Sequence, residues 1–341
     1  MRFTPPFCPN RACLYNKTPI AGFAWSHGRY HSACLNRSVP RFVCSGCRRT
    51  FSLATFRFSY RQKKPLVDAS LMNLLCNGVS LRGAARLLDI NRKTVFAKLS
   101  RIARHSRRLH HARLAAHNIS GTFQLDEMET FETNRYKPVS VPVLIEKRSY
   151  FVVATATAPL RRKGRMTPAQ IKKRAQLELI HGRRRSGSDA AVTRCLAALA
   201  RHAQRPVVLE SDRKPSYGAL CRRLLHKQVL HLTHDSRARR DRANPLFPIN
   251  HTNAMLRYCL ARLRRRSWCV TRVRAWLQHA LDLYSAWFNY CRGITIKTRI
   301  SPAQALGLAS RKLKTTEWLS WRQDWHNAGR ILHSALRTTA Q

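Results

Sequence analysis

The residues of this sequence most suited to chemistry are acids that cluster within a very basic chain. The 341 residues include 64 Lys and Arg but only 16 Asp and Glu. Four of these acids fall within seven residues of the stretch "FQLDEMETFE": Asp126, Glu127, Glu129 and Glu132. A second acid of interest, Asp212, ends the apolar stretch "PVVLESD". Scattered salt bridges to neighbouring basic residues do not explain such clustering, so we expect part of it to have a specific use.

Asp126 and Asp212 each stand at the end of a predicted strand, where carboxylates from neighbouring strands can converge. Two carboxylates held close together repel and need a compensating cation, and oxygen ligands select a hard one, Mg²⁺ or Mn²⁺. Two such ions about 4 Å apart would activate a water or a 3′-hydroxyl and stabilise the leaving oxygen of a phosphodiester. Glu127 is expected to assist, whereas Glu129 and Glu132 are expected to pair with arginines. The alternative for Asp126 is a surface acid in a salt bridge.

The cysteines suggest a second metal site near the start of the chain. "CPNRAC" and "CSGCRRTF" contribute two close-spaced pairs separated by about thirty residues, which is typical of a zinc ribbon. The predicted zinc ligands are Cys8, Cys13, Cys44 and Cys47. Because the first pair has a long spacing, Cys34 or His31 remains an alternative for one ligand. The other interpretation is four unrelated free thiols.

The formal net charge of +48 predicts a polyanionic partner, and nucleic acid is the first candidate. A membrane is not expected, since no run of about eighteen apolar residues occurs. "MRFTPPFCPN" has no apolar segment typical of a secretion signal. Eleven cysteines in a chain without such a signal indicate free thiols and a metal site, not a disulfide framework.

The stretch "CNGVSLRGAARLLDINRKTVFAKLSRI" has the pattern of a helix-turn-helix. Ser80 is a plausible N-cap of the first helix, and Asn91 caps the second after a turn at Asp89. Val95 and Leu99 are expected to face inward. The residues predicted to face DNA from the second helix are Arg92, Lys93, Thr94, Ala97 and Lys98. An ordinary helical hairpin is the alternative.

These groups need a scaffold, and the chain divides into four predicted segments. Residues 1–60 are expected to form the zinc ribbon, 61–117 the helical DNA-binding domain, 118–310 a mixed-sheet α/β domain, and 311–341 a helical tail. In the third segment three strands, a helix, a strand, a helix and a strand are followed by helices, which is the element order of an RNase H-like domain.

The succession "CSGCRRTF", "GVSLRGAARLLDINRKTVFAKL", "LDEMETFE", "SD" and "NPLFPINHTNAMLRYCLARLRRRSW" resembles bacterial insertion-sequence transposases with a zinc ribbon, a helix-turn-helix and an RNase H-like catalytic domain. The resemblance covers residues 8–306. The first two motifs occur in many DNA-binding proteins, whereas the ordered set is much more specific.

The resemblance implies a catalytic triad of two acids and a third residue on the helix after the last strand. Asp126 and Asp212 match the acids, and Asn250 best matches the third position. This departs from the commoner Glu, because no acid lies between Asp241 and Asp282. His251, Asn253 and Asp241 remain alternatives for the third ligand.

The resemblance also implies double-stranded DNA partners, namely terminal repeats and target, and a homo-oligomeric synaptic complex in the bacterial cytoplasm, associated with the nucleoid. Arg262 and Arg265 are expected to contact phosphates from the helix after the triad. One alternative is a transposase-derived DNA-binding regulator without activity. Another is an RNA-binding, ribosome-associated protein, which would leave the strand-end acids unexplained.

Overall fold

The computed structural model describes residues 3–226, 228–235, 237–239, 241–264, 269–295 and 297–325. The chain forms two compact units. Met1–Ser70 and Lys314–Gln341 make the N-terminal unit, and Leu71–Leu313 make the central unit. The four predicted segments are therefore grouped differently, since the chain's C-terminal segment belongs with its N-terminal one.

The N-terminal unit is built on a small antiparallel sheet. Its strands and short helices are α1 (Leu14–Lys17), β1 (Ala24–Ser32), β2 (Arg37–Cys44), β3 (Thr50–Ser52) and α12 (Thr315–Trp318), with 3₁₀ turns at Leu53–Phe56 and Pro65–Val67. The strand order is β1-β2-β3. So small a sheet buries little apolar area, so it needs additional means of stabilisation.

Aromatic residues from both ends of the chain supply part of that stabilisation. Phe7 and Phe56 are fully buried, and Trp325 packs edge-on against Phe7 at a centroid distance of 5.4 Å. Trp321 stacks on Phe3 at 5.6 Å. The prediction of a helical tail is wrong for the described part, because only α12 is helical there. After α12, Trp321 forms an isolated antiparallel β-bridge with Arg57. Residues 326–341 lie outside the described residues.

The central unit begins with the predicted pair of helices. Its first helices are α2 (Asp68–Cys76), α3 (Leu81–Leu87) and α4 (Arg92–Ala115). Ser80 Oγ accepts from Gly83 N at 3.1 Å and Asn91 Oδ1 from Lys93 N at 2.8 Å, so both predicted caps are present. Asp89 lies in the turn with a left-handed φ of 46°. The second helix of the pair, α4, continues without a break to Ala115.

The mixed sheet of the central unit has six strands in the described part of the chain, one more than predicted: β4 (Thr122–Phe131), β5 (Pro138–Glu146), β6 (Val152–Thr155), β7 (Ala158–Pro159), β8 (Val207–Asp212) and β9 (Val229–His234). Their order is β6-β5-β4-β8-β9, with β7 beside β5. β4 to β6 are antiparallel, whereas β8 and β9 run parallel to β4. A multidomain α/β protein, as predicted, is what the chain forms.

One strand boundary differs from the prediction. β4 does not end at Asp126 but continues to Phe131, because its antiparallel pairing with β5 runs on to Pro138. What ends near Asp126 is the parallel pairing with β8, whose last pair is Leu125 with Ser211. β8 itself ends at Asp212, as predicted.

Helices cover both faces of the sheet. The remaining helices of the central unit are α5 (Pro168–His181), α6 (Ser188–His202), α7 (Pro215–Leu225), α8 (Phe247–Cys259), α9 (Ala261–Arg264), α10 (Arg274–Ala286) and α11 (Pro302–Ala305), with a π-helical turn at Trp287–Cys291. α6 and α7 pack on the face to which Glu127 points, and α8 packs on the face to which Gln124 and Asp126 point. β5 is buried along its whole length.

A side chain hydrogen-bonds the outer backbone groups of the edge strand β6. Asn289, in the π-helical turn, is fully buried. Its Oδ1 accepts from Val152 N at 2.9 Å and its Nδ2 donates to Val152 O at 2.8 Å. One amide therefore satisfies both backbone groups at this position of the sheet edge, which would otherwise be buried without partners.

We expect Asn289→Ala to lower the free energy of unfolding by about 3 kcal/mol, because two buried backbone groups lose their partners. The control is Asn77→Ala, which removes an exposed amide bonded to Asn73 O at 2.7 Å and should change stability by less than about 0.5 kcal/mol. Urea unfolding followed by circular dichroism measures both. Equal effects of the two variants would contradict the role assigned to Asn289.

Candidate active site

The parallel register of β4 and β8 puts the two predicted aspartates on one face of the sheet. Gln124 pairs with Glu210 in this register, and the Gln124 Nε2 donates to Glu210 Oε2 at 2.7 Å, so both side chains lie on the same face. Asp126 and Asp212 follow two residues later on their strands and therefore project to that face as well. Both are partly accessible. Each carboxylate thus comes directly after the last parallel pair, Leu125 with Ser211.

The third group comes from α8. Asn253 is 7% exposed, and its Nδ2 donates to Asp126 Oδ2 at 2.7 Å. Asn250, the position first expected for this role, lies one helical turn earlier on the same helix. The structure brings the predicted alternative, Asn253, to the aspartate. Asn253 belongs to the same sequence motif, and only the helical phase against β4 distinguishes the two.

The side-chain oxygen of Asn253 supports a cation site at this place. Asn253 Oδ1 is buried, and it has no hydrogen-bond partner among the described residues. A buried amide oxygen without a partner is costly in a folded protein, and an oxygen-seeking cation would satisfy it. The two Asp carboxylates and this amide are the donor types that Mg²⁺ and Mn²⁺ prefer. The residues present therefore fit a hard divalent cation.

A buried polar network fixes α8 against the sheet, and the sequence analysis missed it. Gln124 is fully buried; its Oε1 accepts from Ile249 N at 3.0 Å, and its Nε2 also donates to Pro245 O at 2.7 Å. Glu210, 6% exposed, in turn pairs with Lys147 at 2.7 Å. The only signals were a Gln and a Glu within otherwise apolar strand segments. The network sets the position from which Asn253 reaches Asp126.

Glu127 points to the opposite face and is already saturated with donors. Its Oε1 accepts from Ser140 Oγ at 2.5 Å and Ser188 Oγ at 2.6 Å, and its Oε2 from Tyr217 OH at 3.0 Å. Lys214 Nζ forms an ion pair with the same Oε2. Burial alone would raise the pKa of Glu127, but the bonds from Lys214 and the two serines outweigh it and lower the pKa below the ordinary 4.5. Glu127 is thus a structural anchor in this conformation.

The remaining acids of the cluster are used elsewhere. Glu132 accepts from Arg184 NH2 at 2.5 Å and from Arg274 N at 2.7 Å. This agrees with the expectation that it pairs with an arginine. Glu129 is exposed. Strand alternation has therefore divided one acidic cluster between two faces of the sheet.

The four predicted thiols converge in the N-terminal unit. The Sγ atoms of Cys8 and Cys47 are 3.6 Å apart and those of Cys13 and Cys44 are 3.7 Å apart, and all four lie within 4.8 Å of one another. A tetrahedral zinc with bonds of about 2.3 Å needs sulfur separations of about 3.8 Å. The convergence of these cysteines is confirmed, and the donor set fits zinc.

The alternative zinc ligands lie away from this group. Cys34 and His31 are both exposed, at the far end of the β1–β2 hairpin. Gly46 lies between the ligand candidates Cys44 and Cys47, where a Cβ would come within 2.8 Å of the Tyr15 ring. Burial opposes ionisation of Cys47, but hydrogen bonds, first from the Arg49 backbone, lower its pKa to about 7. A thiolate is the form that ligates a metal.

The predicted DNA contacts are only partly accessible. Arg92 and Lys93 are exposed and Thr94 is half-buried at the start of α4. Lys98 was expected to face outward, but it is only 5% exposed, because it lies three residues after Val95 on the inward stripe of the helix. Arg262 is half-buried, and burial lowers its pKa to about 10, so it remains charged at neutral pH. Arg265 lies outside the described residues.

A scan against protein-family models gives no match for this chain. Among solved structures, a chain from the cryo-EM structure of a simian T-cell lymphotropic virus intasome in complex with PP2A regulatory subunit B56 gamma is similar over 57% of this chain, with 14% identity and a TM-score of 0.33. The match spans 56% of that chain, so just over half of its length is represented. The catalytic domain of Mos1 mariner transposase is similar over 54% of this chain and 85% of its own length, with 16% identity and a TM-score of 0.24.

Both TM-scores are below 0.5. Within the described residues, none of the helices is both long and apolar enough to cross a membrane.

The pKa of Glu127 predicts a specific pH dependence. Because its folded-state pKa lies below the ordinary value of 4.5, its contribution to stability is complete above pH 4.5 and is lost as the pH falls through the folded-state pKa. We expect Glu127→Gln to be about 2 kcal/mol less stable at pH 7, since Lys214 loses its counter-ion. The difference should shrink in unfolding curves recorded towards pH 3. A constant difference from pH 7 to pH 3 would contradict this assignment.

For the cysteine cluster, we expect the wild-type chain to purify with one zinc ion and Cys44→Ser to lose it. The matched control is Cys34→Ser, which removes an exposed thiol and should retain the metal. Atomic absorption on the folded proteins measures the stoichiometry. Zinc-free wild-type protein, or loss of zinc in Cys34→Ser, would overturn the ligand assignment.

Proposed function

We propose that the chain is a DNA transposase that cleaves and rejoins phosphodiester bonds at Asp126 and Asp212. The observation that carries this proposal is that Asp126 and Asp212 directly follow the last parallel pair of β4 and β8, with Asn253 bonded to Asp126. These oxygen donors lie on one face of the sheet, just beyond the pairing of β4 and β8, in a chain of net charge +48. Such a site suits a cation-dependent reaction on a polyanion.

In this proposal Asp126, Asp212 and Asn253 hold Mg²⁺ or Mn²⁺. When bound, the ion supplies Lewis-acid activation of a water or a 3′-hydroxyl and stabilises the leaving oxygen. The chain's own contribution is to keep the two carboxylates aligned through the β4–β8 register and to hold Asn253 at Asp126 through Gln124. An uncharged third ligand leaves the site with less negative charge than three acids would provide.

DNA binding is assigned to two modules. The zinc-bound N-terminal unit and the exposed start of α4, with Arg92, Lys93 and Thr94, would bind the element's terminal repeats. Such contacts to phosphates set affinity, whereas contacts to base edges set sequence preference. Because two ends of one element have to be joined to a target, the proposal includes a homo-oligomer in the synaptic complex.

The test is cleavage of a labelled duplex carrying the element end, in Mn²⁺ or Mg²⁺. We expect Asp212→Asn to reduce strand cleavage at least about 100-fold while leaving binding to the duplex intact, because a metal ligand is lost but the fold is not. Asp235→Asn is the control. It removes an acid in a half-exposed ion pair with Arg213, at 3.7 Å, and should cleave like wild type.

Two results would count against the catalytic assignment. If Asp212→Asn lost duplex binding along with cleavage, the residue would be structural. If the wild-type chain bound the duplex but never cut it in either metal, the chain would be a DNA-binding regulator, the alternative raised by the missing third acid.

A further inference from the structure

Residues 160–187 form an arm between β7 and α6 that the proposed function has not used. The arm carries ten Lys or Arg and one acid, Glu178. Its helix, α5, has no buried residue. A helix on a globular domain normally buries an apolar stripe, so packing on the domain does not account for this one.

The arm is nevertheless held together by its own contacts. Thr167 caps α5 by accepting from Gln170 N at 3.3 Å. Glu178 binds Arg161 through two bonds of 2.8 and 2.9 Å, which ties the last turn of α5 to the start of the arm. The single acid of the arm is thus already paired with an arginine of the arm itself. The exposed basic residues left on its surface are Lys163, Arg165, Lys172, Lys173, Arg183 and Arg185.

The C-terminal end of the arm is held by residues on and beside the strand that carries Asp126. Arg184 Nη2 donates to Glu132 Oε2 at 2.5 Å and to Pro138 O at 3.3 Å. Directly after the arm, Ser188 Oγ donates to Glu127 Oε1 at 2.6 Å. At the base of the arm, Gly187 N donates to Pro159 O at 2.8 Å. Two acids of the cluster, Glu127 and Glu132, therefore tie the arm to β4 and to the residue that follows it.

We propose that the arm binds the phosphate backbone of double-stranded DNA next to the Asp126–Asp212 site, through Lys163, Lys172 and Lys173. The choice of DNA rests on the proposed function, and the choice of surface rests on charge complementarity. The arm is strongly positive and exposed, and its C-terminal end is tied to β4, the strand that carries Asp126. Phosphate contacts of this kind hold a duplex in place without reading its sequence.

The test compares two triple variants of the full chain for duplex affinity across a salt series. Lys163→Ala/Lys172→Ala/Lys173→Ala removes exposed charges of the arm, and Lys297→Ala/Arg299→Ala/Lys312→Ala removes three exposed charges elsewhere on the central unit. Each phosphate contact contributes about −0.9 to the slope of log K against log salt. We expect the arm variant to lose roughly 2–3 units of slope and about tenfold or more in affinity, and the control to stay near wild type.

The outcomes separate the arm from the catalytic proposal. Because α5 buries nothing, the arm variant should keep the wild-type unfolding curve. If both triple variants show the wild-type slope while Asp212→Asn still blocks cleavage, the arm proposal fails and the transposase proposal stands. If the arm variant loses slope but no protein cleaves DNA, the arm proposal survives alone.

A second copy of the chain is the competing occupant, because Leu179 and Ile180 are 88% and 71% exposed on α5. Sedimentation of Leu179→Ser/Ile180→Ser tests it. If Leu179→Ser/Ile180→Ser dissociated into smaller species while the triple lysine variant kept the wild-type salt slope, DNA would be overturned as the partner. An unchanged oligomeric state together with the reduced slope supports it.

Discussion

Parallel pairing between β4 and β8 is the constraint on which the rest of the site depends. It sets Gln124 beside Glu210, and Asp126 and Asp212 follow two residues later on the same face. Glu210 is buried and neutralised, because the Gln124 amide bonds it and Lys147 forms an ion pair with it at 2.7 Å. Asp126 and Asp212 lie just beyond the pairing, and Asp126 has the Asn253 amide as its polar neighbour. The same two strands thus carry one buried, paired carboxylate and two partly accessible ones.

Strand alternation explains how one acidic stretch serves two purposes. Residues 124, 126 and 128 face one side of the sheet and residues 125, 127 and 129 face the other. Asp126 therefore meets α8, whereas Glu127 meets α6 and α7 and binds Ser188 and Lys214. On the face opposite Asp126, the Glu127 carboxylate is fully hydrogen-bonded to residues at α6 and α7. Adjacent acids in sequence are consequently electrostatic neighbours but chemically separate.

The sequence predicted the elements better than their contacts. Strands, the two capped helices and the cysteine group follow from local signals: apolar runs, capping residues and thiol spacing. The position of Lys98 was wrong because charge suggested an outward side chain, whereas helical phase buries it. The choice between Asn250 and Asn253 depends on the docking of α8, which is set by Gln124 bonds to Pro245 and Ile249 across more than a hundred residues. No local pattern encodes such a contact. The end of β4 was misplaced for a similar reason, since pairing with β5 and not composition decides it.

The aromatic core of the N-terminal unit has a consequence for the order in which the protein matures. Phe7 and Phe56 are synthesised long before Trp321 and Trp325, the rings that pack against them. Until those two residues have been added, the unit has only its local contacts and the proposed metal to stabilise it. Any product that stops before residue 321 lacks the closing rings, whatever the state of its central sheet. The N-terminal unit, which we propose binds DNA, therefore obtains its full aromatic core only in a chain that extends at least to Trp325.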